Sequence, residues 1–206
     1  MHTAIMAMDD PKALALAAEI LQDGGLVAFP TDTVYGLGAL VFNDQAVSRI
    51  SDVKGRGNEK AIPILIANIA QLHLVTAEVN SESEKIARFF WPGPLTVVLP
   101  RHPSIPDAVT PLPTVGVRIP NFPSTITLLS ITGPMAVSSA NISGRGSSST
   151  ARGVQAQLDG KIPLILDGGV TPGGIPSTVM ECVQGNPAIL REGPISLKDV
   201  LNALGK

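Results

Sequence analysis

Two threonines, an aspartate and the only tyrosine of the chain stand together in Pro30-Thr31-Asp32-Thr33-Val34-Tyr35-Gly36-Leu37-Gly38, directly after the apolar run Leu26-Val27-Ala28-Phe29. That run is too short for a helix and reads as a buried strand. Pro30 ends it, because proline cannot donate to a central ladder. Polar side chains leaving a strand at such an end stand where α/β sheets place their ligands. Gly36 and Gly38 let the backbone turn or approach a neighbour closely. The same residues also make a Thr-rich turn with one core tyrosine, and by themselves they leave both readings open.

Charge points to a second stretch. The net charge of −2 and the pI near 5.9 give no global attraction to nucleic acid or anionic membrane, so phosphate chemistry would need a local cationic pocket. Lys54, Arg56 and Lys60 supply one, in a loop made flexible by Gly55 and Gly57. A third stretch, Ser139-Ala140-Asn141-Ile142-Ser143-Gly144-Arg145-Gly146-Ser147-Ser148-Ser149, follows the strand Met135–Ser138 and precedes a helix from Thr150 to Leu158. Strand, Ser/Gly loop and helix start form a layout in which backbone N–H groups and hydroxyls surround a phosphate. Neither GxxxxGK[ST] nor GxGxxG occurs there, and a low-complexity linker is the other reading.

Arg118 lies in the alternating strand Thr114–Pro120, where it shares a face with Gly116 and Pro120 while Val117 and Ile119 point to the core. An arginine in an apolar strand needs an anionic partner, and Gly116 leaves that face open for a ligand. Cys182, the only cysteine, excludes an intrachain disulfide and a Cys-based zinc site, and its apolar run makes it a strand residue.

The elements that must position these groups read as follows. Asp10-Pro11 starts a helix bearing Leu14, Ala17, Ala18 and Leu21, stopped by Gly24-Gly25; Asn43-Asp44 caps a second with Ala46, Val47 and Ile50. Ile62–Ile66 is a strand. Ser81 with Glu84 fits a capping box for a helix that Trp91-Pro92-Gly93-Pro94 terminates. Strand Leu95–Leu99, a helix from Ser124, strands at Leu164–Leu166, Ser177–Val183 and Ala188–Leu190, and a helix capped by Ser196 complete the chain. Strands with interspersed helices and short strand-to-strand connections predict a mixed, twisted α/β sheet in one domain over 1–206. Met1–Asp10 has neither a basic n-region nor a long apolar core, and no run approaches the ~18 apolar residues of a membrane span, so a cytoplasmic protein is expected.

Taken together, Pro30-Thr31-Asp32-Thr33-Val34-Tyr35-Gly36-Leu37-Gly38, Lys54-Gly55-Arg56, Trp91-Pro92-Gly93-Pro94-Leu95-Thr96, Val117-Arg118-Ile119-Pro120, Ser139-Ala140-Asn141 and Asp167-Gly168-Gly169 resemble the YrdC/Sua5 family in order and spacing over nearly the whole chain. The resemblance implies an open, twisted mixed α/β sheet with flanking helices around a large concave cavity, in a short, single-domain form without the C-terminal domain of longer Sua5 proteins. It implies synthesis of L-threonylcarbamoyladenylate and pyrophosphate from L-threonine, bicarbonate and ATP, the first step of N6-threonylcarbamoyladenosine modification of tRNA. The product would pass to a threonylcarbamoyl transferase acting on tRNA.

By the same resemblance Lys54, Arg56, Ser139 and Asn141 act as a catalytic tetrad. Lys60, Thr114, Ser147 and Arg191 join them in binding ATP, and Thr33, Arg118 and Ser177 hold L-threonine. The residue types suit the reaction, since charge grows on the phosphates, arginine meets it as a bidentate fork and lysine as a point charge. Mg²⁺ is expected with ATP, although no carboxylate cluster reads as a metal cage; Asp32 could help through water or cap its own turn. Gly57 and Ala61 stand where many relatives have proline, and Leu65 where some have histidine, which implies altered affinity rather than altered chemistry. The alternative is a YciO-like protein of the same fold that binds nucleotide or double-stranded RNA; the acidic balance and 3% aromatics leave little for a broad RNA-binding face.

Overall fold

The computed structural model describes residues 2–55, 61–172, 174–183 and 186–206. Along the chain run β1 (Ala4–Ala7), α1 (Pro11–Gln22), β2 (Val27–Phe29), β3 (Gly36–Leu40), α2 (Asp44–Lys54), β4 (Ile64–Leu65), α3 (Leu72–Val75), α4 (Ser81–Phe90), β5 (Leu95–Pro100), β6 (Thr114–Arg118), α5 (Pro123–Thr132), β7 (Met135–Ser139), α6 (Ala151–Leu158), β8 (Leu164–Asp167), β9 (Thr178–Val183), β10 (Asn186–Arg191) and α7 (Leu197–Leu204).

Side-chain caps start the helices where the sequence places them. Asp10 accepts from Lys12 N at 2.9 Å, Asn43 from Ala46 N at 3.0 Å and Thr150 from Gly153 N at 3.1 Å, while Ser196 and Asp199 form a reciprocal capping box. At α4 the expected Ser81–Glu84 box is replaced. Asn80, one residue earlier, accepts from Ser83 N at 2.8 Å, and Ser81 lies inside the helix with its hydroxyl on Glu82. Asparagine caps as well as serine, so the earlier residue takes the position.

The strands form one sheet in the order β1-β8-β2-β3-β7-β4-β6-β5-β9-β10, mixing parallel pairs such as β4 with β6 and antiparallel pairs such as β5 with β6. The mixed open sheet expected from the sequence is present. The strand expected over Ile62–Ile66 pairs only through Ile64 and Leu65. β3, built from Gly36-Leu37-Gly38-Ala39-Leu40, gave no strand signal because its glycines have low β propensity.

Its glycines permit close approach rather than a turn. A Cβ on Gly36 would lie 2.6 Å from Val137 Cγ1, and one on Gly38 would lie 2.7 Å from the Phe29 ring.

Alternation along each strand divides the apolar side chains between the two faces. Ala28, Leu37, Ala39, Ala136, Val97, Val115, Val117 and Met180 join one cluster with residues of α2, α4, α6 and α7. Val27, Phe29, Val137, Leu164 and Leu166 join another with Ala13, Ala17 and Leu21 of α1 and Leu128 and Leu129 of α5. The first face is covered along the sheet, with α2 on β3, α6 on β8, α4 on β5 and β9, and α7 on β10. On the second face α1 packs on β2, β3 and β8 and against α5. Among the described residues no helix packs closely on that face over β6, β5, β9 and β10.

Candidate active site

Register settles which side chains share that face. Leu65 pairs with Arg118, Val98 with Gly116, Thr96 with Val179 and Arg191 with Val179. Leu65, Arg118, Gly116, Thr96 and Arg191 therefore project to one side of neighbouring strands, and Ser177, two residues before Val179, projects with them. A cavity of about 270 Å³ lies over this row, lined also by Thr31, Thr33, Tyr35 and Pro176 from the loops and by Ser138 and Ser139 at the end of β7. Arg118, Thr33 and Ser177, expected to share a ligand, line the same cavity. So do Leu65 and Ala61, two of the three departures from the family pattern; the third, Gly57, lies outside the described residues.

Thr31 organises the loop after β2. Its hydroxyl donates to Val34 O at 2.7 Å and accepts from the backbone N–H groups of Thr33 and Val34 at 3.2 and 3.3 Å. With that proton committed, the 2.9 Å contact between the two hydroxyls must be donated by Thr33. Thr33 Oγ1 also receives Arg118 Nη1 at 3.2 Å. Toward a ligand Thr33 is therefore an acceptor.

Arg118 already has an anionic partner within the protein. Its Nη2 is ion-paired with Asp32, and Nε donates to Gly93 O at 2.9 Å; the side chains of Arg118 and Asp32 are only 6% and 10% exposed. This corrects the expectation that its counterion would come only from a ligand, and it assigns Asp32 to Arg118 rather than to its own turn. Burial pulls the guanidinium below its ordinary pKa, opposed by the charge and hydrogen bond of Asp32, with a smaller lowering from nearby Arg191. Of the five N–H donors of an arginine, these contacts use one on each nitrogen, so one N–H on each terminal nitrogen has no partner among the described residues. Gly116, expected to keep this face open, is instead covered: a Cβ there would lie 2.8 Å from Thr96 Cγ2.

Lys54 is the last residue of α2, before the left-handed cap Gly55 at φ 64°, and is buried rather than part of an open loop. Its Nζ donates to Asn141 O at 2.7 Å and to Ser139 O, with Ser139 Oγ at 3.4 Å. In return Ser143 N donates to Lys54 O at 2.9 Å. The end of α2 is thus tied to the Ser139–Ser149 loop from both sides. Arg56 and Lys60 lie outside the described residues.

Arg191 grips Ser177 through two donors to its carbonyl, at 3.2 and 2.6 Å, and one to its hydroxyl at 3.1 Å. The expected ATP contacts Thr114 and Ser147 are not brought to the cavity. Thr114 shares the face of Arg118 but stands four residues earlier on β6, about 13 Å along the strand. Ser147 is exposed on its loop. Thr96 and Ser138 line the cavity although the sequence assigned neither a site role; Thr96 stood only at the end of the motif from Trp91. Ser138 could have been suspected beside Ser139; Thr96 required the register.

Tyr35 fastens the Asp167-Gly168-Gly169 turn. Its hydroxyl donates to Gly169 O at 2.8 Å, lies 3.3 Å from Asp167 Oδ1 and receives Gly168 N at 3.3 Å. Burial, aided by the Asp167 charge, pushes its pKa from 10.0 up to about 12. The folded state thus favours the neutral phenol. The resulting stabilisation is complete below pH 10.0 and is lost as pH rises through about 12. Urea titrations across that window are expected to show a fall in stability that Tyr35→Phe lacks; equal falls in both proteins would refute this.

Among the described residues no group of three or more His, Cys, Asp or Glu could hold a metal ion. Asp32 is committed to Arg118, and the polar side chains that line the cavity are hydroxyls and cations. Its residues do not fit a protein-held Mg²⁺.

The profile of the Sua5/YciO/YrdC family, described as telomere recombination, matches residues 19–193. The threonylcarbamoyl-AMP synthase of Pyrococcus abyssi is 41% identical over 94% of this chain, which spans 57% of that protein's length. The crystal structure of P. abyssi Sua5 complexed with L-threonine superposes with a TM-score of 0.94 at 39% identity, covering 98% of this chain and 61% of that one. Escherichia coli YciO shares the fold at a TM-score of 0.85 and 24% identity, over 97% of this chain and 100% of its own. No helix among the described residues is long and apolar enough to cross a membrane.

Proposed function

This chain belongs to the Sua5/YciO/YrdC family, and from that premise we propose that it is a nucleotidyltransferase making L-threonylcarbamoyladenylate and pyrophosphate from L-threonine, bicarbonate and ATP. The observation that carries the reading is Arg118: buried, held on three sides by Asp32, Thr33 and Gly93, and still able to offer two N–H donors within a hydroxyl-lined cavity. Such a fork suits the carboxylate of an α-amino acid. A cavity of about 270 Å³ is at the small end of ligand pockets, fitting an amino acid, with the nucleotide extending along Ser139 and Arg191.

In this reading threonine's neutral amine attacks bicarbonate, losing water to give the carbamate. A carbamate oxygen then attacks the α-phosphorus of ATP, and the bond to the β-phosphate breaks with pyrophosphate as leaving group. Arg118 fixes the carboxylate, and Thr33 accepts a hydrogen bond from the substrate. Arg191 faces the nucleotide, Lys54 holds Ser139 and Asn141 in place, and Arg56 and Lys60 supply charge to the leaving phosphates. Mg²⁺ would arrive on the phosphates and shield their charge. Thr114 and Ser147 could meet only the parts of ATP outside the cavity. We place the protein in the cytoplasm, passing its product to a transferase that modifies tRNA.

Pyrophosphate release with ATP, threonine and bicarbonate, each omitted in turn, tests the assignment. Release is expected only with all three; release without threonine, or none with the full set, would refute it. Among analogues, serine is expected to be used better than valine. Serine loses only methyl packing, whereas valine has no hydroxyl to meet Thr33 and Ser177. Equal use of the two would count against a site that reads the hydroxyl.

A further inference from the structure

We propose that Thr96 is a specificity-determining residue of this cavity, acting with Ser177 as a two-hydroxyl reader of the substrate's side-chain hydroxyl. The inference deepens the function proposed above and rests on it. Thr96 is 1% exposed on β5, lines the cavity, and has its hydroxyl 2.9 Å from that of Ser177.

Gly116 sets the orientation of Thr96. Thr96 Cγ2 lies 2.8 Å from where a Cβ on Gly116 would stand, so the missing side chain on β6 is the seat of the threonine methyl. A β-branched side chain has few χ1 choices, and seating the methyl turns the hydroxyl toward Ser177. Ser177 is fixed on its other side by Arg191, whose Nη2 donates to its hydroxyl at 3.1 Å. The row Gly116, Thr96, Ser177, Arg191 runs across β6, β5, the residue preceding β9, and β10.

Proton counting gives the row its selectivity. The two hydroxyls own one proton each, and whichever donates, one proton is spent on the bond between them. Arg191 also occupies a lone pair of Ser177. The pair therefore presents one O–H donor to the cavity, matched by a ligand oxygen. Thr33, with its proton committed to Thr31, presents an acceptor. A donor and an acceptor together match a hydroxyl, which is both, and leave an aliphatic side chain with neither partner.

Thr96→Val keeps the shape and the seated methyl and removes only the hydroxyl. It is expected to raise KM for threonine about tenfold, the effect of one hydrogen bond of about 1.4 kcal/mol, while KM for ATP stays near wild type and the preference for serine over valine narrows. Thr96→Ser, which retains the hydroxyl but not the methyl that orients it, should recover part of the threonine affinity. Gly116→Ala, which displaces the methyl, should resemble Thr96→Val. A merely structural role would lower Tm without splitting the two KM values. Calorimetric titration with threonine, alone and with ATP, accompanies the kinetics. Wild type that binds threonine, with Thr96→Val binding it equally and keeping the serine-to-valine ratio, overturns the role of Thr96 alone. Wild type that binds no threonine under either condition overturns both this inference and the function beneath it.

Discussion

Arg118→Ala is expected to lose most of its response to threonine and also about 3–5 kcal/mol of stability, because it strands a buried carboxylate. A role confined to the ligand would leave the ligand-free melting temperature unchanged. The ion pair with Asp32, nearly closed to solvent, makes that outcome untenable. Asp32 Oδ2 is already buried without a hydrogen-bond partner among the described residues, so removing Arg118 would leave both carboxylate oxygens unsupported. The double variant Arg118→Ala with Asp32→Ala separates the roles. Without the stranded charge it should regain much of the stability, yet threonine should still fail to raise its Tm in the presence of ATP. A double variant that recovers the threonine response would remove Arg118 from the substrate's contacts. A single variant as stable as wild type would show that the pair contributes little to the fold.

Lys54→Met should reduce threonylcarbamoyladenylate formation by about 10²–10³-fold, the scale of losing a preorganised electrostatic contact. Methionine preserves the unbranched stem, so packing at the end of α2 survives. The donors to Ser139 O and Asn141 O do not, and the Ser139–Ser149 loop loses its tie to the helix. A stability loss of about 1.5–3 kcal/mol should accompany the loss of turnover, since hydrogen bonds to a charged group are broken where water has little access. A loop cation directed only at a ligand would lower turnover and leave stability unchanged. Pyrophosphate release and urea denaturation on the same samples distinguish the outcomes; wild-type turnover in a folded Lys54→Met protein would remove the lysine from the machinery.

The sequence by itself determined the parts of this protein that local chemistry controls. Asp10, Asn43, Thr150 and Ser196 cap helices because a short polar side chain can satisfy backbone N–H groups within a few residues of itself. The alternation around Arg118 separated it from Val117 and Ile119, because the period of a strand depends on no distant partner. Polar residues at Thr31, Thr33 and Ser139 stood out against an apolar chain, and their motifs carried the family resemblance that in turn supplied Ser177. Local rules failed where neighbours distant in sequence decide. Lys54 reads as a loop cation from the glycines beside it, yet helix α2 reaches it and carbonyl groups more than eighty positions later bury its ammonium. Gly116 reads as an opening, yet the antiparallel register of β5 against β6 fills it with the methyl of Thr96. Asp32 reads as a turn residue, yet its partner lies 86 positions away. The cavity itself arises because α1 and α5 cover only part of the second face of the sheet. Only the tertiary structure decides this, since which strands become neighbours depends on the packing of the whole chain and not on the composition of any one strand.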